Sequence, residues 1–180
     1  MAMDFAIEES KILSGVYIIT PNFFEDFRGE IWSVFEDKAF VNLLPKGLNF
    51  VLDKFTLSKS NVLRGIHGDH KSWKLVTCVS GEIQQVVVDC RKESPTYLKY
   101  ESFNISSKQK KLILIPPFFG NAHYVLGDKE ALYYYKWAYE GEYVDAEDQF
   151  TYAWNDERIG IKWQGENPIL SERDLKVLRG

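Results

Sequence analysis

The stretch Trp73-Lys74-Leu75-Val76-Thr77-Cys78-Val79-Ser80-Gly81-Glu82-Ile83-Gln84-Gln85-Val86-Val87-Val88-Asp89-Cys90 decides the fold. Two runs rich in branched side chains flank Ser80-Gly81, a pair suited to a tight reversal, so the segment reads as two strands joined by a turn. Similar runs recur on either side, at residues 16–20, 29–35, 50–57, 98–105, 112–115 and 131–139. Ser94-Pro95, Pro116-Pro117 and Gly127-Asp128 separate the later ones. Many short strands at near-regular spacing specify a sandwich or barrel. Helix is scarce: residues 36–44 form one candidate, stopped by Pro45, and Ser171 is placed to cap another, with Glu172 and Asp174 in its first turn. The expectation is an all-β, jelly-roll β-sandwich or barrel with a few short helices. No repeat or linker divides the chain, so residues 1–180 are read as a single domain.

Composition narrows the function. Aromatic residues make up 15% of the chain, a load that suits pleated surfaces, subunit interfaces and stacking on a sugar or base. The net charge is −4 and the one lysine-rich stretch, 108–111, is short, so no nucleic-acid partner is expected. A small diphosphate remains open, because a few arginines suffice to hold one. Cys78 and Cys90 sit in apolar runs and read as reduced, buried thiols. The first residues carry Asp4, Glu8 and Glu9 in place of a leader, and no apolar run approaches membrane length. A cytoplasmic protein with no membrane partner is expected.

The histidines number three, His67, His70 and His123. His67 ends the run Leu63-Arg64-Gly65-Ile66-His67, and His123 follows Pro116-Pro117-Phe118-Phe119-Gly120-Asn121-Ala122, so both read as strand ends, where loops meet ligands. Lys74 and Arg64 are close in sequence. A metal site would need His67, His70, His123 and a carboxylate to converge, but the spacing His67-x-x-His70 lacks an obvious acidic ligand. Neither a metal nor another cofactor is expected.

Taken in order, Asp26-Phe27-Arg28-Gly29, Val62-Leu63-Arg64-Gly65-Ile66-His67, Lys74-Leu75-Val76, Gly81 before Val86-Val87-Val88-Asp89-Cys90-Arg91, Ser94-Pro95-Thr96, Ala122-His123, Trp154-Asn155-Asp156 and Leu170-Ser171-Glu172-Arg173-Asp174 resemble the dTDP-4-dehydrorhamnose 3,5-epimerase family, a group of cupin-like jelly rolls. The resemblance spans roughly residues 15 to 175. Its version here is most similar to the branch acting on GDP-linked 4-keto-heptoses in capsular polysaccharide synthesis, an impression carried partly by Glu140-Gly141-Glu142-Tyr143 and Asp148-Gln149-Phe150-Thr151-Tyr152.

The resemblance implies an isomerase acting on a nucleotide-diphosphate 4-keto sugar, as a homodimer. A ketone at C4 acidifies the C–H bonds at C3 and C5, because the carbanion delocalises into an enolate. His67 matches the family's base, and imidazole chemistry suits that task near neutral pH. Asp174 matches the carboxylate that would fix its tautomer. Lys74 matches the lysine beside the C4 oxygen. Arg64 and Arg28 match residues holding the diphosphate, the latter reaching across the dimer, and His123 would be a second polar group near the sugar. Tyr139 completes the expected substrate-binding set.

The acid would be a tyrosine within Leu132-Tyr133-Tyr134-Tyr135-Lys136-Trp137. Preceding apolar residues favour Tyr133, and the following lysine favours Tyr135. Alternation puts Tyr133, Tyr135 and Trp137 on one bulky face. Assigning that face to packing selects Tyr134. Departures from the family's pattern include Tyr124 after His123, the Asp69-His70-Lys71 segment, and Gln85 where the family often has Asp. A ketoisomerase on the same scaffold and a non-catalytic sugar-nucleotide binding module are the alternative readings.

Overall fold

The computed structural model describes residues 4–178. Thirteen strands and two short helices follow one another: β1 Phe5–Glu9, β2 Tyr17–Pro21, β3 Phe23–Asp26, β4 Gly29–Trp32, α1 Asp37–Phe40, β5 Phe50–Ser58, β6 Leu63–Gly68, β7 Trp73–Ser80, β8 Glu82–Asp89, β9 Tyr100–Ser106, β10 Leu112–Ile115, β11 Phe119–Val125, β12 Ala131–Ala138, β13 Phe150–Thr151 and α2 Glu172–Val177. A six-stranded sheet runs β1-β2-β10-β7-β12-β5 and a five-stranded sheet runs β13-β6-β11-β8-β9, while β3 and β4 form a separate hairpin. The strand pairs within these sheets are antiparallel. This is the expected jelly-roll sandwich.

The quoted stretch supplies one central strand to each sheet. β7 lies between β10 and β12, and β8 lies between β11 and β9, so the turn at Ser80-Gly81 carries the chain from one layer to the other. Alternation along β8 sends Ile83 and Val87 into the core between the sheets. Val86 and Val88 face outward, yet the C-terminal segment covers them through Ile159, Ile161 and Trp163. On the outer face of the six-stranded sheet, Leu75, Leu112 and Leu114 pack under Phe40 of α1. Strands buried on both faces keep long apolar runs, which is why they stood out in the sequence.

β1, β3 and β13 were not expected. They are short and their burial is shallow, so little hydrophobic alternation marks them. The helix expected over 36–44 is confined to Asp37–Phe40. At the other end, Ser171 does cap α2, its hydroxyl accepting from the Asp174 N–H at 3.2 Å.

Two glycines on β6 let its neighbours in the five-stranded sheet approach closely around His67. Gly65 has φ of +124°, and a Cβ there would stand 2.5 Å from the Ala122 side chain on β11. At Gly68 a Cβ would meet the Phe150 ring at 2.2 Å, blocking the docking of β13.

Candidate active site

Between the two sheets, where the core stops short of one end, opens a cavity of about 580 Å³. β6 and β11 provide one wall with Arg64, His67 and Asn121; β5, β7 and β12 provide the opposite wall with Lys54, Lys74, Tyr135 and Trp137. The loop after β12 adds Tyr143 and Gln149, the cap of α2 adds Ser171, and α2 itself adds Asp174.

His67 Nε2 lies 2.6 Å from Asp174 Oδ1. The His67 side chain is 23% exposed and that of Asp174 only 3%, so the pair has one open end and one closed end. Burial alone would disfavour the Asp174 carboxylate, but the His67 ring, the Ser171 hydroxyl donating at 2.8 Å, and Arg173 hold its pKa below the ordinary value. With Asp174 ionised, Nε2–H is the donor, and the Nδ1 lone pair makes no hydrogen bond within the described residues. The ring is thus oriented with a free basic nitrogen. Arg173 anchors α2 by donating to Thr151 Oγ1 at 2.6 Å and to the Gln149 carbonyl at 3.3 Å.

Lys74 is almost fully buried and its Nζ stands 3.0 Å from Asp69 Oδ2. Burial depresses its pKa, with Asp69 opposing that effect. Asp69 itself is fixed by the N–H groups of Lys71 and Ser72, donating to Oδ1 at 3.0 and 2.6 Å. The unusual 69–71 segment is therefore a bracket for Lys74. Lys71 extends it by donating to the carbonyls of Glu140 and Glu142, fastening the loop that carries Tyr143. Arg64 Nε and Lys54 Nζ donate to neutral oxygens, Ser58 Oγ at 2.9 Å and Tyr143 Oη at 2.6 Å, which keeps both charges available to an anionic ligand.

The dTDP-4-dehydrorhamnose 3,5-epimerase family model matches residues 10–179. The chain belongs to that family. The membership makes it an epimerase, an enzyme of the isomerase class. Among its relatives, dTDP-4-dehydrorhamnose 3,5-epimerase of Salmonella typhimurium is 35% identical over 164 residues, covering 88% of this chain and 87% of the relative. The enzyme of that name in Escherichia coli is 36% identical, with 92% and 89% covered. The crystal structure of dTDP-6-deoxy-D-glucose-3,5-epimerase from Legionella pneumophila, in complex with dTDP-4-keto-L-rhamnose, superimposes with a TM-score of 0.87 at 31% identity, covering 96% of this chain and 91% of that one. A 4-keto-6-deoxy sugar epimerase from the novobiocin cluster of Streptomyces spheroides gives 0.86 at 28% identity, with 96% and 85% covered.

In this family member, the residues expected from sequence divide into two groups. His67, Asp174, Lys74 and Arg64 meet at the cavity. Tyr134 does not: it points to the outer face of the six-stranded sheet, donating to Asp53 Oδ1 at 2.7 Å and packing against Phe55. Tyr135 lines the cavity instead. The packing face and the cavity face of β12 are the same face: Tyr133 fills the core, and two residues further along the core has ended.

His123 is also displaced from its expected place. It lies within β11 and not at a strand end, is fully buried, stacks on Tyr133 at 4.1 Å between ring centroids, and does not line the cavity. Burial, with Arg64 and His67 nearby, lowers its pKa to about 3, so the ring is neutral. Arg28 sits at the tip of the β3–β4 hairpin, mostly exposed and paired with Asp26 at 2.5 Å, outside this cavity. Tyr139 packs near Tyr143 and Lys71 behind the cavity wall. His70 packs against Phe118 and Phe150, and among the described residues no cluster of His, Cys, Asp or Glu suits a metal ion. The sequence reading did not assign Asn121, Lys54 or Tyr143, which the structure adds to the cavity lining.

Proposed function

We propose that the chain inverts C3, and C5 where the sugar can present it, of a nucleotide-linked 4-keto sugar. His67 removes the proton from the carbon beside the ketone, and the C–H electron pair moves into an enolate. Lys74, held by Asp69, stabilises the negative charge on the C4 oxygen. Tyr135, on the wall opposite His67, delivers a proton to the other face of the same carbon; solvent then restores both groups. Asp174 keeps the imidazole in one tautomer and stabilises the imidazolium. The observation that carries this reading is the His67–Asp174 pair opening on the cavity that Lys74 and Tyr135 line from the opposing sheet.

The nucleotide and sugar are read as GDP and a 4-keto-heptose. What supports this is the resemblance carried by residues 140–143 and 148–152, a region that supplies Tyr143 and Gln149 to the cavity; the characterised relatives are named for dTDP-linked sugars. Arg28 is read as serving the partner's cavity in a homodimer. Val51, Phe55 and Leu57 are each more than half exposed on the outer face of β5 and Phe27 is almost wholly exposed, which supports a second copy covering them. The cytoplasm is read as its compartment; both cysteines are free, and among the described residues no helix is long and apolar enough to cross a membrane.

The test is incubation in deuterium oxide with GDP- and dTDP-linked 4-keto sugars side by side, followed by NMR. Deuterium at C3, or at C3 and C5, with inverted configuration is expected. A migrated ketone would favour the ketoisomerase, and no exchange with either substrate would defeat the proposal.

A further inference from the structure

Behind the cavity wall opposite Tyr135 and Lys74 lies a buried polar chain that the epimerisation chemistry does not use. Gln85, on β8, is fully buried. Its Nε2 donates to the Val86 carbonyl at 3.0 Å and to Asn121 Oδ1 at 2.6 Å, while its Oε1 accepts from the Tyr133 hydroxyl at 2.6 Å. A backbone carbonyl can only accept, so the Val86 contact fixes which end of the Gln85 amide is NH2. That choice propagates. The atom of Asn121 facing Gln85 must be its oxygen, and its NH2 must turn away. Within the described residues that NH2 has no hydrogen-bond acceptor, nor is it sealed among the buried polar atoms lacking a partner. Asn121 lines the cavity, and its Cα is paired across the strands with His67. Cross-strand neighbours on one face stand about 5 Å apart at Cβ. An oriented donor with unspent hydrogens therefore sits beside the base.

We propose that Asn121 is a specificity residue whose NH2 donates to a hydroxyl oxygen of the sugar next to the reacting carbon, with Gln85 and Tyr133 as positioning residues that hold the amide in its donor orientation. This rests on the function proposed above and extends it to sugars that keep an oxygen at that position. The geometry also gives Gln85 a reason to be an amide: a carboxylate at position 85 could donate neither to Val86 nor to Asn121, so Asn121 would rotate its NH2 inward and present an acceptor to the cavity.

Calorimetric titration of the full chain with dTDP-glucose and GDP-mannose, each against its bare nucleoside diphosphate, tests the assignment. Asn121→Ala is expected to weaken the preferred nucleotide sugar about 5- to 10-fold, the weight of one neutral hydrogen bond, and to leave the diphosphate within twofold. Gln85→Glu, which touches nothing in the cavity, is expected to do the same, and Asn121→Asp serves as the isosteric check should Asn121→Ala fold poorly. An analogue lacking the hydroxyl at C2 or at C3 should bind wild type and Asn121→Ala alike at one of those two positions. Wild-type affinity of all three variants for the nucleotide sugar would overturn the proposal, as would equal losses for sugar and bare diphosphate. If wild type binds no nucleotide sugar at all, the epimerase reading falls first and the assignment of Asn121 falls with it.

Discussion

Replacing Asp174 by Asn removes one charge and almost no volume, and its effect can be worked from the geometry. At 2.6 Å, opposite unit charges in an effective dielectric of about 20 attract by ~6 kcal/mol. The attraction exists only once His67 carries the abstracted proton, so it belongs to the enolate-forming step. The imidazole is partly open to solvent and an amide oxygen can still accept from Nε2–H, so about half of that figure is the loss expected, ~3 kcal/mol. Each 1.36 kcal/mol is a factor of ten, which predicts a slowing of about 10²-fold. The assay is the initial rate of deuterium entry at C3 by NMR, at saturating substrate, with circular dichroism confirming that the variant is folded. A rate within fivefold of wild type would refute the claim that Asp174 supports the base. A loss matched by unfolding would refute it too, because the carboxylate would then be structural.

Tyr135→Phe should suppress the epimerised product at least 10²-fold, the lower range for losing a general acid, while exchange at the face served by His67 persists; Tyr134→Phe should leave turnover within twofold and cost about 1 kcal/mol of stability in urea unfolding through its lost bond to Asp53. Lys74→Met strands the buried Asp69 carboxylate and should cost roughly 3–5 kcal/mol of stability; adding Asp69→Asn should recover most of the stability and none of the deuterium exchange. His123 has a depressed folded pKa of about 3 against about 6.5 unfolded, so the unfolded chain binds the extra proton between those values and stability falls as pH drops through that window. Urea unfolding at pH 5 should show about 2 kcal/mol less stability from this ring than at pH 7, and His123→Phe, which keeps the stacking on Tyr133, should remove that part of the slope.

What was legible in the sequence follows from burial. β7, β8 and β10 are covered on both faces, so their side chains are apolar in runs that no other element would favour. β1 and β3 expose every second residue or more, and their sequences carry turn-like polarity. His67, Lys74 and Asp174 were legible through the motifs in which they stand. The tyrosine that lines the cavity was not, because alternation states which side chains share a face and cannot state where along that face a core becomes a cavity. His123 misled for a related reason: a strand running on through a Phe-Gly-Asn-Ala segment has no boundary mark at the histidine, and only the stacked Tyr133 shows that the ring is interior. Arg28 sits on a hairpin outside this chain's own cavity, a placement that fits the expectation of a residue reaching across a dimer.

His67 and the carboxylate paired with it are 107 residues apart, and the carboxylate rides on a helix of six residues. So short a helix is held by its cap at Ser171 and by Arg173 reaching back to Thr151. Short peripheral elements open at lower free energy than the sheets they rest on. Warming should therefore fray α2 while both sheets persist, leaving a folded protein with an unguided imidazole, and catalysis should fade several degrees before the melting transition begins.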